Sequence, residues 1–382
     1  MLPIYLDHAA SCPCDPQVLE KMRPFFFEKS GNASSPYAQG RQARKALEEA
    51  REFAAKFLGA QTNEIVFTSG ATESNNHAIF STARALKSKG KHIVTSSIEH
   101  HSVLEPLHLL KEDGYEISFI RPQADGSINI DDIKAVVRND TILVCLAHAN
   151  NQIGSLQPVE ELGLWARQQK VYFLVDATQT VGHLPANLKN IPCDFLSCSA
   201  HKFYGPQGVG LLYIRQGLEL PAFILGGDQE RGRRAGTHNV AGAVGLAEAL
   251  KICQDRMETD AKREAVLRDR VIDGVIKEIS FARLNGHRQK RLPNNAHFSF
   301  ERINGEELVS ALDMAAIAVS MGSACTWGRM EPSHVLKAIG LSDELALGSL
   351  RVSVGRWTSN QDVDYFLQQL KIKVEQLRLN KR

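Results

Sequence analysis

Residues 194–214 read DFLSCSAHKFYGPQGVGLLYI, in which Lys202 lies between two apolar runs that are typical of buried strands. A Gly/Pro turn at Gly205 and Pro206 follows the lysine. Burial between strands desolvates a lysine and favours its neutral amine, the form that makes a Schiff base with an aldehyde. The alternative is a lysine whose amine extends from the turn into solvent. The rest of the chain has to decide between the two.

The composition is that of an ordinary globular protein. The chain has 382 residues, 43% hydrophobic and 23% charged, which predicts a large core and two domains. The net charge of +2 indicates neither a nucleic-acid nor a membrane partner. No basic region followed by an apolar one begins the sequence, and no run of about eighteen apolar residues occurs in it. We therefore expect a cytoplasmic location, or the matrix of an organelle.

The seven cysteines argue for a reducing compartment, because an odd number spread over a long chain is not a disulfide framework. Cys12 and Cys14 are one residue apart and have no second pair, so we interpret them as surface thiols and not as metal ligands. Cys325 differs from the rest because it lies among small residues in Gly322-Ser323-Ala324-Cys325-Thr326. The others lie in or beside apolar runs and are expected to fill the core: Cys145, Cys193, Cys198 and Cys253.

Strand-like and helix-like segments alternate from residue 64 to residue 214. Such alternation, with apolar strands, predicts an α/β fold with a mainly parallel sheet covered by helices on both faces. An amphipathic helix over Ala38–Leu58, ending at Gly59, precedes these segments, and a long helix from Val240 to about Ile279 follows them. The last hundred residues alternate differently and predict a smaller α+β domain. We place the large domain at 15–255 and the small one at 1–14 and 256–382.

Several polar residues directly follow predicted strands. They are Thr72, His100, Asn151, Asp176 and Gln179. Ligands of parallel sheets bind beyond the carboxyl ends of the strands, so these side chains are expected to meet at one site. In addition, residues 64–76 read as a strand, a Gly turn and a helix start, a geometry that suits a phosphate although many such turns bind nothing.

Asp176 ends a buried strand, and a carboxylate buried there needs a cation such as a protonated pyridine nitrogen. Asp176 and His100 also have a simpler interpretation as helix caps. Together, however, a phosphate cradle, an acid at a strand end and Lys202 are the parts that a pyridoxal 5′-phosphate site requires.

With these parts, the chain resembles the class V, fold-type I aminotransferase-like enzymes over essentially its whole length. Within that family, it resembles the cysteine desulfurases of the NifS/IscS type. Ten ordered segments carry the resemblance: Tyr5-Leu6-Asp7, Gly31-Asn32, Thr68–Asn75, Glu99-His100, Asn150-Asn151, Val175–Gln179, Ser199–Lys202, Arg234–Thr237, Gly322–Thr326 and Leu350-Arg351.

The resemblance implies a role for each site residue. Lys202 would carry pyridoxal 5′-phosphate, Asp176 would pair with its ring nitrogen, Gln179 would bond its ring hydroxyl, and His100 would stack on the ring and move protons. The phosphate would be held by Ala71, Thr72, Ser199 and His201, with Thr237 from the second subunit of a homodimer. Arg351, with Asn32 and Asn151, would bind the carboxylate of L-cysteine, since a guanidinium pairs well with a carboxylate.

The resemblance also implies the reaction. The Cys325 thiolate would take the sulfur of L-cysteine as a persulfide, release L-alanine and pass the sulfur to an acceptor protein for iron–sulfur cluster assembly or tRNA thiolation. No metal site is expected, although Cys325 could transiently ligate an iron–sulfur cluster. Three features depart from the family pattern: Cys12 and Cys14 replace residues of a Thr-Thr-Pro-like segment, Met321 precedes the Gly-Ser-Ala-Cys motif, and bulky Trp327 and Arg329 follow it.

Other functions stay open at this stage. Within class V, the alternatives are a selenocysteine lyase, a cystine C–S lyase or a small-amino-acid transaminase, none of which needs a persulfide-forming thiol. A dimeric scaffold without catalysis is a further alternative, although it would have no use for Lys202, Asp176, His100 and Arg351. A nicotinamide dehydrogenase is poorly supported, because no G-x-G-x-x-G follows the early strands.

Overall fold

The computed structural model describes residues 3–322 and 331–380. Its strands are β1 (Ile4–Tyr5), β2 (Ile65–Thr68), β3 (His92–Ser96), β4 (Glu116–Ile120), β5 (Thr141–Ala147), β6 (Tyr172–Asp176), β7 (Phe195–Ser199), β8 (Gly210–Ile214), β9 (Ala282–Asn285), β10 (Asn295–Phe300), β11 (Ile317–Ala318) and β12 (Ser349–Ser353). Its helices are α1 (Pro16–Met22), α2 (Ala38–Leu58), α3 (Ala71–Ala85), α4 (His101–Glu112), α5 (Ile130–Val136), α6 (Val159–Gln169), α7 (Val240–Glu278), α8 (Gly305–Asp313), α9 (His334–Ala338), α10 (Asp343–Leu347) and α11 (Asn360–Leu379).

The central sheet has seven strands in the order β2-β8-β7-β6-β5-β3-β4. Strands β4, β3, β5, β6 and β7 pair in parallel, whereas β8 is antiparallel to both β7 and β2. The reversal has a simple cause: the connection from Ser199 to Gly210 is too short for a parallel crossover, so β8 returns beside β7. Lys202 lies in this connection. The predicted mainly parallel sheet is confirmed.

Successive residues of the central strands face opposite layers, as the two-residue period of a strand requires. Val144 and Leu146 pack in one hydrophobic cluster with α2, α6 and the first half of α7, whereas Leu143 and Cys145 pack in another with α3 and α4. Both faces of the sheet are therefore covered by helices.

The helix boundaries agree closely with the sequence patterns. Helix α2 ends where predicted, at Gly59, whose φ of +76° is the left-handed conformation that glycine adopts most readily. The sequence patterns did not predict the short helices α9 and α10. The run Ile317-Ala318-Val319-Ser320 predicts a strand, but β11 ends at Ala318. Ser320 instead makes an isolated bridge with Arg351.

A second core surrounds the antiparallel sheet β12-β10-β9. Helix α7 belongs to both cores: residues up to Cys253 pack against the central sheet, and residues from Leu267 onward pack in the second core. The domain boundary at residue 255 lies between these two stretches, and the division into domains stays a prediction. Within residues 3–322 and 331–380, no helix is both long and apolar enough to span a membrane.

Candidate active site

A cavity of about 520 Å³ opens at the carboxyl ends of the central strands. Nine of the predicted site residues line it: Ala71, Thr72, His100, Asn151, Asp176, Gln179, Ser199, His201 and Lys202. These residues come from five different strand ends and the short turn after β7, which meet because the parallel strands all end on the same side of the sheet.

Lys202 reaches the cavity from the turn between β7 and β8. Its Nζ donates hydrogen bonds to the carbonyl oxygens of Ala9, at 2.7 Å, and Ala10, at 2.6 Å. Burial, assisted by the charge of Arg351, lowers the pKa of the Lys202 amine from 10.5 to about 8. A substantial fraction of the amine is therefore neutral near physiological pH, the state that reacts with an aldehyde.

Asp176, at the end of β6, is buried and held by two donors. Its Oδ1 accepts a hydrogen bond from the backbone N–H of Thr178 at 3.0 Å, and its Oδ2 accepts one from Asn75 Nδ2 at 2.8 Å. Asn75 is itself fixed, because its Oδ1 accepts from Ser197 Oγ at 2.6 Å. The carboxylate is thus presented to the cavity in one orientation.

His100 caps the start of α4. Its Nδ1 accepts a hydrogen bond from the backbone N–H of Ser102 at 3.0 Å, so the neutral ring carries its proton on Nε2. Burial lowers the pKa of His100 below its usual range, and the charge of Lys202 acts in the same direction against the opposing charge of Asp176. A neutral imidazole beside Lys202 can accept or return a proton at neutral pH.

A hydrogen-bonded chain connects His100 with Asp176. Ser102 Oγ is 2.8 Å from His100 Nδ1 and accepts from Asn75 Nδ2 at 2.9 Å, and the same amide group binds Asp176. Asn75 belongs to one of the segments that carry the family resemblance, but the sequence indicates no role for it or for Ser102. The available signal was the spacing: Asn75 comes four residues after Ala71 and therefore lies on the same face of α3.

The part of the cavity beside α3 suits an anion. It is lined by Ala71 and Thr72 at the start of α3, where the first backbone N–H groups have no partner within the helix. Ser199 and His201 line the same cavity. Burial, with the charge of Lys202, lowers the pKa of His201 to about 4, so its ring is neutral.

Arg351 is buried next to this cavity but does not line it. Its Nη2 donates to Asp7 Oδ1 at 2.7 Å, and its Nη1 donates to the carbonyl oxygens of Asn151 at 3.0 Å and Gly322 at 3.3 Å. Its Nε has no hydrogen-bond partner within the described part of the chain. A carboxylate that binds Arg351 has to use this nitrogen or displace one of the present acceptors.

Two further predicted residues do not line this cavity, and a third falls outside the described residues. Asn32 is exposed and does not line the cavity, and its Oδ1 accepts from the backbone N–H of Ser34 at 2.9 Å. Thr237 is exposed and lines a smaller cavity of about 110 Å³. Cys325 lies outside the described residues, together with Trp327 and Arg329. Their roles therefore stay predictions.

The chemical groups around the cavity fit pyridoxal 5′-phosphate. A primary amine, a buried carboxylate and a helix N-terminus are chemically matched to its aldehyde, ring nitrogen and phosphate. The hydroxyl of Thr178, which lines the cavity, is buried without a partner among the described residues and is thus free to bind a ligand oxygen. Residues 3–322 and 331–380 contain no cluster of three or more side chains suited to a metal ion.

The family model of class V aminotransferases matches residues 4–366. This chain belongs to the class V aminotransferase family. Its members are pyridoxal-phosphate-dependent enzymes, so the predicted enzyme class, cofactor and fold are confirmed for this chain.

Similar proteins narrow the relationship within class V. The chain is 49% identical over 375 residues to a cysteine desulfurase IscS of Dictyoglomus turgidum, covering 98% of this chain and 95% of the relative. It is 45% identical to the IscS of Histophilus somni, covering 99% and 94%. A solved NifS-like protein superposes with a TM-score of 0.92 at 35% identity, covering 98% of this chain and all of that one. The resemblance to NifS/IscS-type enzymes is confirmed.

Proposed function

We propose that this class V enzyme is a cysteine desulfurase, which takes the sulfur atom from L-cysteine and releases L-alanine. The observation that carries the proposal is the convergence of Lys202, Asp176 and His100 on one cavity beside the start of α3. The high identity to IscS proteins over nearly the full length supports the choice of substrate.

In this proposal the cavity residues hold pyridoxal 5′-phosphate, which when bound supplies an electron sink for the α-carbon of the amino acid. Lys202 would bind its aldehyde carbon, and Asp176 its ring nitrogen. Gln179 would bond the ring hydroxyl, although its amide Nε2 now donates to the Ala9 carbonyl at 3.1 Å, which leaves its Oε1 for that role. The phosphate would lie against Ala71, Thr72, Ser199 and His201, with Thr237 contributed by a second subunit.

Five residues would bind or act on the substrate. Arg351 would bind its carboxylate, assisted by Asn151 and Asn32. The neutral Lys202 amine, once released by the amino group of the substrate, would remove the α-proton, and His100 would move protons nearby. The depressed pKa of the lysine supports this role, because a base must be unprotonated to act.

Cys325 would perform the step that distinguishes a desulfurase from its class V relatives. Its thiolate attacks the substrate sulfur, so a C–S bond breaks, an S–S bond forms on Cys325, and the remaining carbon skeleton leaves as L-alanine after protonation. The persulfide sulfur would then pass to an acceptor protein that serves iron–sulfur cluster assembly or tRNA thiolation. A homodimer in the cytoplasm completes the proposal, and the free state of the six cysteines in the described residues fits a reducing compartment.

The test is the Cys325→Ala variant of the full-length protein loaded with cofactor. We expect it to keep the yellow absorbance of the lysine-bound cofactor and to lose sulfide and alanine release from L-cysteine in the presence of a thiol reductant. Undiminished turnover of L-cysteine by this variant would favour a lyase or a transaminase. Absence of cofactor absorbance in the wild-type protein would instead favour a scaffold without catalysis.

A further inference from the structure

Gln152 connects the two chain segments that flank residues 323–330. Its Nε2 donates a hydrogen bond to the carbonyl oxygen of Met321 at 3.4 Å, and its Oε1 accepts one from Ser333 Oγ at 2.6 Å. The side chain is 2% exposed and does not line the cavity. One amide group therefore binds the chain on both sides of the stretch that contains Cys325.

The backbone around Gln152 is held in a tight turn. The Oδ1 atom of Asn150 accepts from the backbone N–H groups of Gln152, at 2.9 Å, and Ile153, at 3.0 Å. The Nδ2 atom of Asn150 donates to the Ile98 carbonyl at 2.8 Å. Because Asn150 and Asn151 both line the cavity, Gln152 extends from a fixed part of the cavity wall.

Gly322 lies directly against Gln152. Its φ of +93° is in the left-handed region, and a Cβ atom built at this position would be 2.6 Å from Gln152 Cγ. Only glycine satisfies both the backbone conformation and the available space. The backbone at Gly322 thus lies too close to the Gln152 side chain for any residue other than glycine.

Arg351 joins the Gln152 turn to the segment before residue 323, through the carbonyl oxygens of Asn151 and Gly322. His297 adds a second partner for the Met321 carbonyl, with its Nε2 at 3.3 Å. The proposed carboxylate-binding residue and the chain leading to Cys325 are therefore parts of one hydrogen-bonded assembly, in which Gln152 alone among these residues also reaches Ser333.

We propose that Gln152 is a positioning residue for sulfur transfer, which holds both ends of the Cys325-containing segment beside the substrate-binding turn. The effective concentration of a thiol at its target depends on where the ends of its chain segment are fixed, and small displacements of a reacting group strongly reduce its rate. This inference rests on the proposed function, since it needs Cys325 to receive the substrate sulfur.

The test compares two steps in full-length, cofactor-loaded protein. The absorbance change of the cofactor on adding L-cysteine reports substrate binding, which does not need Cys325. Rapid quenching followed by mass spectrometry reports how fast Cys325 gains one sulfur. We expect Gln152→Ala to slow sulfur gain about tenfold while the half-saturating L-cysteine concentration changes less than about twofold, since each of the two lost hydrogen bonds is worth up to about fivefold.

Gln157 offers a matched control. It is another buried glutamine with two hydrogen bonds, accepting from the Ile128 backbone N–H at 2.9 Å and donating to the Gly126 carbonyl at 2.8 Å, and neither bond involves Met321, Gly322 or Ser333. Gln157→Ala should leave the rate of sulfur gain unchanged relative to substrate binding, even if its melting temperature falls as much as that of Gln152→Ala.

Ser333 provides a second variant if Gln152→Ala folds poorly. Ser333→Ala should slow sulfur gain about threefold to fivefold, and Ser333→Thr, which keeps the hydroxyl, should restore the wild-type rate. Wild-type sulfur gain in both Gln152→Ala and Ser333→Ala, or an equal loss in Gln157→Ala, would overturn the inference alone. Failure of the wild-type protein to load sulfur on Cys325 would overturn the proposed function and the inference with it.

Discussion

Replacing Glu230 with glutamine should lower the free energy of unfolding by about 3 kcal/mol at neutral pH. The Glu230 carboxylate accepts two hydrogen bonds from Arg51, at 2.6 and 2.8 Å, and one from the backbone N–H of Phe67 at 2.9 Å. His238 Nε2 lies 3.3 Å from the same carboxylate. The Arg51 and Glu230 side chains are only 3% and 2% exposed, so solvent screens the pair very little.

The magnitude follows from the pKa of Glu230. Burial alone would raise it, but hydrogen bonds from His238 and Arg51, with the charge of Arg51, lower it from 4.5 to about 2. Each pKa unit corresponds to about 1.4 kcal/mol, which gives about 3 kcal/mol of stabilisation above pH 4.5. Because the folded-state pKa is depressed, this stabilisation is present at neutral pH and is lost as the pH falls toward 2. About 2 kcal/mol should remain near pH 3.5.

The assay is urea unfolding of Glu230→Gln and wild-type protein at equal concentration, at about pH 7 and about pH 3.5. Glu48→Gln is the control, because Glu48 also pairs with Arg51, at 3.2 Å, but is 40% exposed and should cost less than about 1 kcal/mol. A loss of less than about 1 kcal/mol for Glu230→Gln at pH 7, or an equal loss for Glu48→Gln, would show that the buried pair does not supply this stabilisation.

Two further predictions concern the cofactor site. The rate at which cofactor-free protein takes up pyridoxal 5′-phosphate, followed by visible absorbance, should rise with pH with a midpoint near pH 8, the pKa of the Lys202 amine. A midpoint near 10.5 would show that burial does not lower the pKa of this amine. Asn75→Leu should weaken cofactor binding about tenfold in equilibrium dialysis, because Asp176 loses a charge-assisted hydrogen bond. Asn76→Leu, which removes an amide that donates to the backbone carbonyls of Thr72 and Ser102, should change it little, and equal losses would contradict the role of Asn75.

Much of the fold could be predicted because it depends on local patterns. Neighbouring residues determine the one-sided apolar periods of α2 and α7 and the apolar runs of the central strands. The predicted boundaries of these elements therefore agree with the structure within a few positions. Helices α9 and α10 were missed because five residues carry too little periodicity to be recognised. Strand β11 ends before Ser320, which forms an isolated antiparallel bridge with Arg351. No local pattern contains this contact.

The candidate site was predictable where chain position alone places a residue. Asp176 and His100 directly follow strands of a parallel sheet, so their convergence follows from the sheet. The state of Arg351 was not predictable, because its pairing with Asp7 joins residues 344 positions apart. The position of Asn75 on the same helix face as Ala71 could be read from the sequence, but its bond to Asp176, which spans 101 positions, could not.

By itself, the sequence determined the reactive groups, the order of helices and strands, and the sheet edge where the groups meet, since each depends on residue type or on short-range periodicity. Only the tertiary structure decided how those groups are held: the amide of Asn75 on Asp176, the carbonyls of Ala9 and Ala10 on Lys202, and Gln152 between Met321 and Ser333. Hydrogen bonds between distant residues depend on how the chain packs, and a single sequence does not state which distant donors and acceptors come together.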